Sequence, residues 1–197
     1  MRDAVVTIDL GPVRFGLLFG LLAVLYGWSL GLVFGVGEDA IRERFIADAE
    51  ASRSTYVQKA GSEEAATAAI KKMDETAWRY FLRAHLHAGA IGSIAIGGSL
   101  VLALLSVGRG IKLVASLLFG IGAVGYPLSW MLAGMRAPGM GTTAAAKESL
   151  LWLAGPSSVG LFVGGLITFG LVAADLFFRR GGARGSDRAP ASSSQEH

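Results

Sequence analysis

Polar and apolar positions along this chain are sorted into blocks before any finer period is visible. Four blocks contain no Asp, Glu, Lys or Arg: residues 15–36, 85–108, 113–135 and 149–174. Each exceeds the ~20 residues that an α-helix needs to cross a ~30 Å hydrocarbon layer. The pattern predicts four transmembrane helices, over 15–36, 85–108, 113–135 and 157–178. A polar lead-in (1–14) precedes the first, with Pro12 suited to its first turn. A tail (179–197) follows the last, and its Gly, Ser, Ala and Arg content predicts disorder from residue 181.

Between the first two blocks the period changes. Over 37–84, Ile41, Phe45, Ala49, Ser52 and Tyr56 recur at three- and four-residue spacing with charges between them, as do Ala66, Ile70, Met73, Ala77 and Phe81. Ala60-Gly61-Ser62 divides the two runs, and Ser62 followed by Glu63 and Glu64 suits a helix start with acids in its first turn. The expectation is an extramembrane hairpin of two amphipathic helices whose second arm runs into the second span. The link 107–111 is short, so spans two and three are antiparallel neighbours. Pro127 removes a backbone donor inside span three and predicts a kink. Residues 136–156 are expected to form a loop with a short interfacial helix from Thr142 to Leu153, broken at Gly155-Pro156. The fold class is therefore all-α: a polytopic integral membrane protein with four spans and a hairpin between the first two.

Composition agrees with this and narrows the chemistry. Apolar residues make up 52% and charged residues 17%, against about 25% charged in soluble domains. No cysteine is present, which excludes disulfides, thiolate metal sites and thiol chemistry. Gly35-Val36-Gly37 has a small-x-small pattern, but the run before it exceeds the ~7–15 residues of a signal h-region, so an uncleaved anchor is expected. The formal charge of +3 matters through its placement. Short cytoplasmic loops and tails collect Lys and Arg. Arg2, Arg14, Arg109, Lys112, Arg179, Arg180, Arg184 and Arg188 then face the cytoplasm, with both termini, while Arg136, Lys147 and segment 37–84 lie outside. Absent Cys and Asn, with Ala/Gly/Arg-rich usage, point to a bacterial inner membrane.

Glycines stand four apart in the first span (Gly16/Gly20, Gly27/Gly31, Gly31/Gly35). Such spacing lets helix backbones approach closely in lipid, within one bundle or along a homodimer seam. Gly120-Ile-Gly-Ala-Val-Gly125 matches the dinucleotide pattern by letter, but it lacks the preceding strand that pattern requires. Neither nucleotide nor nucleic acid is expected as a partner. Asp175 lies near the end of span four with Arg179 one turn on, which reads as an i,i+4 pair.

His85 and His87 are the candidate cofactor residues. Two residues apart on a helix they point about 200° away from each other, so they cannot share one metal ion. Each offers at most one ligand per site. His197 falls in the tail, on the opposite side of the membrane. Met131, Met135 and Met140 lie at the same membrane face as the pair, and thioether with imidazole suits Cu(I). A haem b would need a methionine, an open position or a second chain for its other ligand. No Ser-His-Asp, His-Glu-x-x-His, Walker or EF-hand arrangement is present, so an enzyme is not expected. The sequence points to a structural or accessory subunit that docks on a membrane protein or on itself. The alternative is a haem- or copper-binding redox or metal-handling protein. A transporter is disfavoured, because few polar groups lie within the spans.

Overall fold

The computed structural model describes residues 8–179. Among them all regular structure is helical. A 3₁₀ turn (Gly11–Val13) leads into α1 (Arg14–Ala51), then α2 (Arg53–Ala60), α3 (Glu63–Leu104), α4 (Arg109–Met140), α5 (Thr143–Glu148) and α6 (Leu151–Ala174). A π-helical turn (Asp175–Arg179) closes the described chain. Four stretches are helical, long and apolar enough to cross a membrane: Gly11–Ala51, Glu63–Leu104, Arg109–Met140 and Leu151–Phe177. Large side chains cover their outer faces, among them Leu25, Trp28 and Leu32 on α1 and Phe162, Leu166 and Phe169 on α6. A surface this apolar suits lipid rather than water.

α4 is the central helix. Half of its most apolar stretch is buried, against about a fifth in α1 and α6. Glycine makes this possible. Hydrocarbon surroundings give helices no hydrophobic push together, so association depends on close van der Waals packing. α1 and α3 meet backbone to backbone: a Cβ on Gly20 would lie 3.0 Å from the Gly92 carbonyl, and one on Gly27 2.9 Å from the Gly89 nitrogen. α4 and α6 do the same, since a Cβ on Gly122 would lie 2.7 Å from the Leu161 nitrogen and one on Gly164 2.8 Å from that of Phe119. The dinucleotide-like run is thus a set of packing notches, with Gly120 against Phe19 and Gly122 and Gly125 against α6. In the first span Gly16, Gly20, Gly27 and Gly31 all face neighbours within the chain, whereas Gly35 meets none.

At one end of the bundle Asp9 pairs with Arg109, bringing the amino-terminal lead-in to the α3–α4 link. Lys112, almost wholly buried, donates from Nζ to the Ala103 carbonyl at 3.0 Å. A cation there meets one of the carbonyls that the end of α3 leaves without an intrahelical partner. At the other end α2 and the adjoining parts of α1 and α3 pack together. Phe45, Ala49, Tyr56, Ala66, Ile70, Ala77 and Phe81 form their buried seam. Ser62 caps α3 by accepting from the Ala65 N–H at 3.2 Å, and Gly61 makes the turn with a φ of 83°, where a Cβ would be strained.

Several boundaries differ from those the sequence suggests. The first arm breaks at Ser52, because its hydroxyl turns to donate to the Gly139 carbonyl at 2.6 Å. α3 ends at Leu104, four residues short of 108, and α4 continues past 135 to Met140. Pro138 does not stop α4, since it lies in the last turn, where few further bonds depend on it. The break expected at Gly155-Pro156 falls instead at Ser149-Leu150, and Pro156 lies inside α6. The expected short helix is therefore only Thr143–Glu148, capped by the Thr142 hydroxyl. Arg2, Arg180, Arg184, Arg188, His197 and the tail 181–197 lie outside the described residues, as does the side chain of Arg179. Asp175 is engaged by a neighbour.

Candidate functional site

α3 runs unbroken through the histidines, so the helical geometry anticipated for them applies. They serve different faces. Phe81, His85 and Ala88 turn toward α1, whereas Tyr80, Arg83 and His87 turn toward α4.

His85 fits a recess that Gly31 leaves open. A Cβ on Gly31 would lie 2.9 Å from the imidazole Cε1. His85 Nδ1 stands 2.7 Å from the Gly27 carbonyl oxygen. A carbonyl can only accept, so Nδ1 carries the proton, and in the neutral ring Nε2 holds the lone pair. That orientation, one ring nitrogen tied to a backbone carbonyl, is how metal-binding imidazoles are commonly held. The ring also packs edge-on to Phe34 at 5.7 Å between centroids.

His87 lies 5.5 Å from the Tyr126 ring on the other side of α3. The three methionines are dispersed. Met131 packs against the cluster of Phe45, Ala77 and Phe81, and its sulfur accepts from the Tyr26 hydroxyl at 3.1 Å. Met135 is half exposed and shares an apolar groove between α1 and α4 with Leu30, Phe45 and Met131. Met140 is the exposed last residue of α4. Of the five residues singled out from sequence, Met131 and Met135 line one groove, which neither histidine lines. Among the described residues no three His, Asp or Glu side chains converge as a metal site would require.

Sequence reasoning passed over three charged residues. Asp74 is 6% exposed and receives two hydrogen bonds on Oδ2, from Arg42 Nε at 3.1 Å and Nη2 at 2.7 Å. These bonds hold the Arg42 guanidinium above its ordinary range, while Oδ1 of Asp74 has no partner among the described residues. The signal was in the sequence: 66, 70, 74, 77 and 81 also have helical spacing, so an acid stands on the apolar stripe.

The other two are Arg83 and Lys147. Arg83 lies over the Trp130 and Tyr80 rings at 5.1 Å and 5.7 Å, and Lys147 over the same rings at 5.6 Å and 5.4 Å. Neither forms an ion pair among the described residues. Tyr80, Trp130 and Tyr126 meet edge to face, which fixes the platform beneath the two cations. Their partnership was hidden because 64 positions separate them in sequence.

Three contacts fasten the hairpin to the end of α4. Besides Ser52, the Tyr56 hydroxyl donates to the Pro138 carbonyl at 2.8 Å, and Lys59 Nζ reaches the Gly141 carbonyl at 3.5 Å. Burial pushes the Tyr56 phenol up to about 12, so it remains a neutral donor at physiological pH.

Fold and site together define a helical protein with four helices suited to a lipid environment. No protein-family model matches the chain, and neither a curated protein nor a solved structure matches it significantly.

Proposed function

We propose that this protein is a non-enzymatic subunit of a membrane, with four spans and a helical hairpin that projects from the bilayer to dock on a membrane protein or a second copy. The attachment of the hairpin to α4 through Ser52, Tyr56 and Lys59 supports this reading most directly. A tethered arm needs no such fastening, whereas a docking surface gains from being held in one shape before its partner arrives. The Arg42–Asp74 pair favours the same conclusion, since it fixes how α1 and α3 lie against each other. The hairpin is placed outside the cytoplasm, and Arg14, Arg109 and Lys112 at the opposite end inside it, by the positive-inside rule. A bacterial inner membrane is the proposed location.

A photo-reactive residue at exposed Glu43 or Lys71 tests the docking role in intact cells. Discrete protein adducts are expected at one or both positions and not at the lipid-facing Leu21. Lipid adducts alone, with the mass of a single chain after mild extraction, would overturn the proposal.

One observation favours a second reading. The Nδ1–Gly27 bond leaves His85 Nε2 as an electron-pair donor for haem b or copper, which would supply one-electron chemistry beside Phe34. His87, Met135 and Met140 take no part in it. In this chain His85 would supply one ligand, and the backbone carbonyl of Gly27 would fix its orientation.

A further inference from the structure

Arg83 and Lys147 converge on one aromatic platform without an acid between them, and an apolar groove begins beside that platform. The first part of the groove, about 200 Å³, is lined by Lys147, Trp130, Leu151 and Ala154. The second, about 370 Å³, continues along α6 past Ser158 and Leu161 to Gly165. Tyr126 walls both. Positions 151, 154, 158, 161 and 165 are spaced as one helical face, so the two parts lie in line along α6, with Tyr126 of α4 between them. From 151 to 165 that face extends about 21 Å, more than the ~15 Å depth of one leaflet's hydrocarbon. Gly165 adds no side chain to this face, and a Cβ there would only touch the Phe119 ring, at 3.7 Å.

We propose that this channel holds an anionic phospholipid, its acyl chain along α6 and its phosphate between Arg83 and Lys147. The charge pattern selects the occupant. Two cations that share the Tyr80 and Trp130 rings and form no ion pair among the described residues leave positive charge unanswered, and a phosphate reaching them would accept charge-assisted hydrogen bonds. Trp130 also lines the groove, but its indole nitrogen is buried and unpartnered among the described residues, so the two cations alone answer the phosphate. A second helix from another protein would fill the apolar part but leave the cations unanswered. Free phosphate would satisfy the cations but leave the channel exposed. A phospholipid does both. His87 sits on the same face, against Tyr126. The inference rests on the four spans crossing a bilayer.

Native mass spectrometry of the delipidated full chain in detergent tests it, with phosphatidylglycerol and phosphatidylcholine of identical acyl chains as probes. One phosphatidylglycerol is expected to be retained, roughly thirtyfold more tightly than phosphatidylcholine, given about 1 kcal/mol for each of the two cations at a membrane surface. Arg83→Gln with Lys147→Gln should abolish the preference; both side chains are exposed, so the bundle should fold unchanged. Gly165→Leu should weaken both lipids together by blocking the channel. Equal retention of the two lipids by the wild type would overturn the proposal, as would a preference that survives the double replacement. Displacement by millimolar inorganic phosphate would reassign the site to a free anion. Failure of the membrane reading is distinguishable, because the protein would then be soluble without detergent and bind neither lipid.

Discussion

At the scale of single residues, His85 shows what helical geometry decides and what it leaves open. The opposed directions of His85 and His87 follow from 100° per residue, and the sequence contains that fact. Which helix each histidine faces does not follow, because it depends on the recess at Gly31 and on Tyr126, 54 and 39 positions away. Purified protein and its His85→Ala and His87→Ala variants should therefore be compared by absorption and metal analysis. The subunit reading expects colourless, metal-free preparations in all three. A Soret band or stoichiometric copper lost in His85→Ala but kept in His87→Ala would move the function to the redox reading. Asp74 and the Arg83–Lys147 pair mark the limit of sequence inspection. Asp74 stands on a legible stripe, yet its partner is 32 residues away on α1.

Among the elements, the four long apolar helices were legible because charge is excluded from long blocks, and a block needs no partner to be recognised. The start of α3 was legible because its cap is local, Ser62 answering the Ala65 N–H. Boundaries set by distant contacts were not. Ser52 interrupts α1 to reach Gly139, and nothing near Ser52 in sequence announces this. The hairpin offers the element-scale prediction. Removing Arg42 leaves the Asp74 carboxylate buried without its cation, a situation that costs about 3–5 kcal/mol at fully buried pairs. Arg42 is 34% exposed, so water offsets part of this, and Arg42→Ala should destabilise the hairpin by about 2 kcal/mol. Thermal unfolding in detergent would measure it. Joint replacement, Arg42→Met with Asp74→Leu, should recover most of the loss, since apolar side chains of similar volume suit the same space. If the double variant is no more stable than Arg42→Ala, the pair does more than satisfy charge.

The molecule as a whole has two unlike ends. One carries Asp9, Arg109 and Lys112 around the α3–α4 link; the other carries the hairpin, α5 and the aromatic platform. Since the chain contains no cysteine, a single introduced thiol reports on each end separately. A cysteine in place of exposed Gln58 should react with a membrane-impermeant reagent in intact cells, and one in place of exposed Ser106 only after permeabilisation. The reverse pattern would invert the proposed orientation while leaving the fold untouched.

α1 and α3 pass from the lipid-facing bundle into the hairpin without a joint, as helices of 38 and 42 residues, or about 57 and 63 Å. Two stiff rods clamped side by side behave as one beam. A load applied at the Gly61 tip would not be absorbed by bending at the bilayer surface. It would arrive inside the bundle as tilt, pivoting where Gly20 bears on Gly92 and Gly27 on Gly89. If the hairpin projects from a bilayer as proposed, whatever sits on it is thereby in mechanical communication with the far end of the bundle.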